Sequence, residues 1–420
     1  MGSEMCIRDR EDRHEVEDVG CWDGSVMSGG VMQGMKQKVK DFVLDQWFPR
    51  VYGRAAQAPL EKGKVLFVES KETSLPDSFE ILHARLSADP RFSVEYVSLH
   101  QNSDSYPRYC LNCARMLKKA ATAQVVFLND ASDVISCVPL RADSKVVQLW
   151  HACGAFKKWG MSTADLKFGG TREEKRRHPF YENLSLVTVS SPEVIWAYAE
   201  AMDLEDRREI IQPLGVSRTD SFFDQSFLSN ARKVVGRKVP ETAGKKILLY
   251  APTFRGKVSR ASAPDALDIP ALQDALEGEW VLLVKHHPFV RDLPEIPESS
   301  RRFAFDVSDE LSIDVLLSVA DACISDYSSL VFEYSLFEKP LIFFAFDKDE
   351  YDDWRGFYYD YEDMTPGPVF VDNDEMIEYL CSIDERFDRE RVAAFRARFM
   401  SACDGSATNR ILDAVFGAES

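Results

Sequence analysis

The sequence predicts an α/β protein built from two Rossmann-like domains that face a central cleft. Short apolar runs alternate with helical stretches from Lys64 onward, and the alternation restarts after residue 240. The residues best suited to chemistry fall just behind the apolar runs. Strands and helices alternating in this way form parallel sheets with helices on both faces, and such sheets bind ligands beyond their carboxyl ends.

Residues 1–30 carry much charge and no periodicity, so they are expected to be disordered or to be an extension outside the native frame. Across 31–56, Met35, Val39, Phe42, Val43 and Trp47 recur at helical spacing beside Lys36, Lys38, Lys40, Arg50 and Arg54. Two readings fit this stretch: an amphipathic helix on an anionic membrane surface, or a first helix docked on the core with solvated lysines. Residues 57–225 form the first domain, with strands in KVLFVES, FSVEYVSL, QVVFLND, KVVQLWH and LVTVSS. Helices are read in SFEILHARLSAD, RYCLNCARMLKKAATA and PEVIWAYAEAM, the last with Pro192 in its first turn. The pattern loosens into a linker near residues 222–244. Residues 240–405 then repeat the architecture through KILLYAP, WVLLVKHHP, ACISD and KPLIFFAF, and a last helix within 406–420 is expected to pack back on the first domain.

Composition narrows the function. At 420 residues, 45% of them hydrophobic and 29% charged, the chain is a soluble two-domain protein. No window approaches the roughly 18 apolar residues of a membrane span, and the start lacks a signal-peptide core, so a cytoplasmic location is expected. A net charge of -18 argues against nucleic-acid binding. Yet Lys157, Lys158, Lys167, Arg172, Lys175, Arg176 and Arg177 outnumber Asp165, Glu173 and Glu174 between Trp150 and His178, a positive island suited to a polyanion. The nine cysteines read as reduced core residues, and Cys110 with Cys113 lacks the second pair or nearby histidines that a zinc site needs. Neither GxxxxGK[ST] nor a GxGxxG after the first strand is present, which removes kinase-like and simple dehydrogenase functions.

Four clusters lie behind strands: His151 after VVQLW, Thr253 and Arg255 after ILLYAP, Lys285 to His287 after WVLL, and Asp326 to Ser329 after ACIS. Ser328 and Ser329 stand where a helix begins, either as a plain cap or as donors at an anion site; Glu333, one turn in, could accept ribose hydroxyls. Lys285 can neutralise a phosphate, and alternation puts it on one face with His287, which can donate to phosphoryl oxygens or protonate a leaving group. A zinc site from His151, His286 and His287 would lack a carboxylate at ligand spacing, and the DxD triplet in DKDEYDDW reads as solvated charge.

In their order along the chain, LWHACGAFKKWG, LGVSRTD, YAPTFRG, KHHP, ISDYSSLVFEYSLFEKPLIFF and RGFYYDYEDMTPGP resemble the CDP-glycerol glycerophosphotransferase family, the teichoic acid primases and polymerases of Gram-positive bacteria. The resemblance covers roughly residues 60 to 400. It implies a GT-B type fold, no catalytic metal or other cofactor, and peripheral attachment to the inner face of the membrane. CDP-glycerol would bind the second domain and a lipid-linked or polymeric polyanionic acceptor the first. His151 matches the family's WHG-T-x-x-K histidine and is expected to be the base, although WHACGAFKKWG departs from the commonest form, WHGTPLK. On the same resemblance His287 aligns with the HP histidine, Ser328 and Ser329 with a serine pair, Glu333 with an acidic residue, and Arg355 with an arginine expected at phosphate. Thr253, Arg255 and Lys285 join the donor side, and Gly154, Lys157 and Lys158 the acceptor side. The expected reaction moves glycerol phosphate to an acceptor hydroxyl with loss of CMP; CDP-ribitol, a nucleotide-sugar donor or a non-catalytic polymer-binding module are the alternatives. Primase or polymerase action, and a single chain or a homo-oligomer, are left open.

Overall fold

The strands that build the two sheets are apolar along almost their whole length because helices cover both faces. The structure, a computed structural model, describes residues 30–417 apart from 102–103, 165, 167–169, 257–259 and 349–355. The 1–29 part of the N-terminal extension, and Arg355, therefore lie outside the described residues.

The first sheet contains β1 (Glu61–Glu69), β2 (Ser93–Ser98), β3 (Ala123–Leu128), β4 (Lys145–Gln148), β5 (Leu186–Thr188) and β6 (Ile211–Gln212) in the order β2-β1-β3-β4-β5-β6. The second contains β7 (Lys246–Tyr250), β8 (Trp280–Val284), β9 (Ala304–Asp306), β10 (Ala322–Ser325), β11 (Leu341–Phe344) and β12 (Val369–Phe370) in the order β12-β11-β10-β7-β8-β9. All the pairings are parallel. Each sheet is thus doubly wound about its first strand. The strand order reverses between β1 and β3 in one lobe and between β7 and β10 in the other, and a crevice opens at such a reversal.

The N-terminal stretch divides into α1 (Gly30–Phe42), a π-helical turn (Val43–Trp47) and α2 (Phe48–Ala55). Val43, Leu44, Phe48 and Tyr52 are buried on the first lobe, whereas Met35, Val39 and Phe42 are 61%, 44% and 58% exposed. The core-docking reading therefore holds from Val43 to Tyr52, while α1 keeps the Met35, Val39 and Phe42 stripe in solvent. The segment read as a linker is instead largely helix, Gln225–Lys238. Asp224 caps it, and buried Ala231 and Val235 form its inner face; Gly236 and a run of basic residues hide that period in the sequence. The last helix, Ala407–Phe416, crosses back to the first lobe, where Ile411, Leu412 and Val415 pack among Val65, Phe67 and Val147.

Candidate active site

His151 stands three residues beyond the end of β4. Trp150 before it adopts a left-handed backbone, φ 63°, and its ring stacks between His151 (4.6 Å) and Trp159 (4.4 Å). The turn lifts the imidazole out of the sheet, so the side chain is 46% exposed. Its Nδ1 lies 3.1 Å from Asp130 Oδ1, at the end of the neighbouring β3. Burial acts to raise the Asp130 pKa, but the hydrogen bond from His151 and the charge of Lys71 outweigh it and hold the carboxyl at about 2. Asp130 is then an anion that fixes the proton on Nδ1 and leaves Nε2 free to accept one, the arrangement of a general base with an orienting carboxylate.

Beside the pair lies an open cavity of about 90 Å³ bounded by Ser70 and Lys71 after β1, Asp130 to Val134 after β3, Trp150 and His151 after β4, and the α1–α2 segment. It sits at the strand-order reversal of the first sheet.

The second lobe places the other expected residues around its own reversal. The Thr253 amide donates to Asp326 Oδ1 (2.8 Å), while its buried hydroxyl has no partner among the described residues. Arg255 grips Asp347 through Nε and Nη2, reaches Asp326 Oδ2 at 2.9 Å and lies over the Tyr327 ring. Burial would lower its pKa, but Asp326 and Asp347 raise it further than burial can lower it. Asp347, the first acid of the DxD triplet, is therefore engaged by a guanidinium. Among the described residues no three His, Cys, Asp or Glu side chains converge as a metal-binding group.

Lys285 donates to the Ser308 carbonyl, His286 is buried, and His287 packs between Phe254 and Phe289 while its Nδ1 accepts from the Phe289 amide. Ser328 and Ser329 precede the helix Leu330–Ser335, with Ser328 Oγ 3.4 Å from the Leu330 amide. Glu333, only 2% exposed, pairs with Arg218. Arg218 also reaches Asp314 (3.1 Å), Asp77 (3.7 Å) and the His151 carbonyl (3.5 Å), so one buried guanidinium ties the His151 turn to the helix Leu330–Ser335.

The residues read as acceptor-side lie at a contact between the two lobes. Gly154 has φ 64°, and a Cβ there would fall 2.4 Å from the Phe332 ring of the second lobe. Lys157 bridges antiparallel to Phe357, and the Lys158 amide donates to the Gly356 carbonyl. The FYYDY motif completes this clasp: Tyr358 bonds Ser162, Tyr359 bonds Trp196, and Phe156 packs edge-on against Phe357 and Tyr361. The positive island is also partly neutralised within the fold, with Arg176 on Asp203, Arg177 on Asp41 and Lys175 on the Gly160 carbonyl.

Asp130, Lys71 and Arg218 were not singled out from sequence, although FLND ends its strand beside the one that ends in His151, and Arg218 lies within LGVSRTD.

The CDP-Glycerol:Poly(glycerophosphate) glycerophosphotransferase profile matches residues 51–417. The teichoic acid ribitol-phosphate primase of Bacillus spizizenii (strain ATCC 23059 / NRRL B-14472 / W23) is 32% identical over 86% of this chain and 92% of its own length. The teichoic acid poly(ribitol-phosphate) polymerase of the same strain is 34% identical over 85% of this chain, which spans 56% of that protein. Among solved structures, the wall teichoic acid polymerase TagF superposes with a TM-score of 0.68 at 22% identity, covering 91% of this chain and 96% of that one. That likeness establishes the GT-B-like fold.

Proposed function

Because this chain belongs to the CDP-glycerol:poly(glycerophosphate) glycerophosphotransferase family, we propose that it transfers a polyol phosphate from a CDP-polyol to a hydroxyl of a teichoic acid acceptor. The observation that carries this is the His151–Asp130 pair at the end of the first sheet, joined through Arg218 to the helix at the second sheet's reversal. In the proposed step the acceptor oxygen bonds to the β-phosphorus, the bond from that phosphorus to the CMP oxygen breaks, and the hydroxyl proton passes to His151 Nε2. Lys285, His287 and the Ser328–Ser329 turn would hold the diphosphate and stabilise charge on departing CMP, a task that needs positioned donors rather than covalent participation. The unpartnered Thr253 hydroxyl supports a ligand at the same reversal. Side chains are assigned the whole of the charge neutralisation, with no metal in the step.

Between donors, CDP-ribitol is favoured: both relatives above are named for ribitol phosphate and match over more than four-fifths of the chain. CDP-glycerol, the leading expectation from sequence, is the second reading, supported by the family description. Each CDP-polyol offered separately with a lipid-linked acceptor decides the matter. CMP release from CDP-ribitol is expected, release from CDP-glycerol alone would reverse the assignment, and release from neither would sink the function.

We further propose that the enzyme works at the inner face of the membrane. No helix among the described residues is long and apolar enough to cross it. The support is the exposed Met35, Val39 and Phe42 stripe beside exposed Lys36 and Lys38.

A further inference from the structure

The cavity beside His151 has two cations and aromatic walls that the transfer step does not use. Lys71 and Lys40 line it together with Phe48, Tyr106, Tyr109 and Phe180. We propose that this cavity seats the end of the acceptor, with its terminal hydroxyl at His151 and the phosphodiester one polyol unit back held between Lys71 and Lys40. The proposal rests on His151 being the base of polyol-phosphate transfer.

Placement favours this ligand. Lys71 Nζ and His151 Nδ1 address opposite oxygens of the one Asp130 carboxylate, so a group bound at the ammonium lies a short span from the base. The Lys71 backbone is fixed there, because its amide donates to buried Glu69 Oε1 at 2.8 Å. Each lysine holds its carboxylate loosely, Lys71 at 3.7 Å from Asp130 and Lys40 at 3.5 Å from Asp133. Those spans exceed a close charge-assisted hydrogen bond, and an ammonium has three protons, so both can also donate to a phosphodiester oxygen. The ring faces suit the carbon skeleton of a polyol or sugar. In a chain of net charge -18, an anionic acceptor needs such local cations to enter. The acceptor class is thus a hydroxyl-ended chain bearing a phosphodiester, and not a neutral glycan or lipid alcohol.

Two soluble probes test this on the full chain: hexyl phosphoglycerol, with a free glycerol end and one phosphodiester, and the neutral hexyl glycerol ether. Isothermal titration without donor should show the anionic probe binding at least about tenfold more tightly, the scale of one charged hydrogen bond. In Lys71→Met/Lys40→Met that preference should vanish. With donor present, the variant's KM for the anionic probe should rise by about the same factor while donor KM holds. Equal binding of both probes by the unaltered protein overturns the proposal, and needs no variant to fold. Equal weakening of both probes in the variant also overturns it, since that reports disturbance of Asp130 and His151 and not loss of an anion site. If no CDP-polyol releases CMP, the transfer function fails, while the titration still decides what the cavity binds.

Discussion

At Trp150 a bulky residue holds a left-handed backbone, a conformation that costs on the order of 1–3 kcal/mol and persists only when surroundings enforce it. The stack on Trp159 offsets that cost, and the gain is a histidine aimed away from the sheet. Asp130 then decides which ring nitrogen is basic. Asp130→Asn keeps the shape but removes the anion, so kcat should fall about 10- to 100-fold with donor binding unchanged; an unaltered kcat in steady-state CMP release would remove Asp130 from the mechanism. The Asp130 carboxyl titrates at about 2, below its unfolded value, so its stabilisation is complete above about pH 4 and is lost as pH falls through 2. It therefore stays charged throughout any working range. His286 shifts in the same direction for a different reason: burial, only partly opposed by Asp306, lowers its pKa, and its Nδ1 has no partner among the described residues. The unfolded chain takes up that proton first, so stability present above about pH 6.5 declines as pH drops below it. Urea unfolding between pH 7 and pH 5 should show a steeper loss for the unaltered protein than for His286→Leu, and parallel slopes would refute the assignment. The gathering of Thr253, Arg255 and Ser328 at the second sheet's reversal was legible because each follows an apolar run. Asp130, Lys71 and Arg218 were not, since a pair formed across neighbouring strands requires the strand order, which no local spacing encodes.

Among elements, legibility followed length and the clarity of the period. The long strands stand out as apolar runs, whereas β6, β9 and β12 are two or three residues long and leave no pattern to read. The helix Gln225–Lys238 was lost to its own charged outer face. The N-terminal stretch carried one continuous helical stripe, but the π-helical turn at Val43–Trp47 shifts the register, so residues before it face solvent and residues after it face the core. That division makes the membrane proposal separable from folding. Met35→Ser/Val39→Ser/Phe42→Ser should abolish co-sedimentation with anionic vesicles while leaving Tm within a few degrees, because these side chains are exposed already. Full vesicle binding by the triple variant would discard α1 as the contact. The segment after His151 is a different kind of element, a clasp whose glycine is required by space as well as backbone sign. Gly154→Ala pushes a methyl group into the Phe332 ring, and a cost of about 1–3 kcal/mol is expected in urea unfolding.

The two lobes are joined by one apolar seam that runs from Trp150 and Phe156 through Phe332 to Phe395 and Phe399, so neither sheet has a wholly private core. Beside that seam Arg218 and Glu333 are buried charges. Arg218 is 8% exposed and meets carboxylates from both lobes, Asp77 on one side and Asp314 and Glu333 on the other. Burial, with Asp77 and Glu80, pushes the Asp314 carboxyl up even with Arg218 opposing it, so loss of the guanidinium would remove the contact that favours its charged form. A buried pair adds little net stability when formed but is costly to break from one side, about 3–5 kcal/mol, because the partner is left charged and dry. Arg218→Met should therefore destabilise the chain by that order and, through the His151 carbonyl and Glu333, lower kcat more than it raises acceptor KM. A purely structural arginine would depress stability alone. The double variant Arg218→Met/Glu333→Gln separates these cases: with the facing carboxylate neutralised, part of the stability should return, giving a coupling of about 1–3 kcal/mol. If the two substitutions instead add within about 0.5 kcal/mol, the guanidinium and the helix Leu330–Ser335 act independently, and His151 is not tied to the second lobe through Arg218.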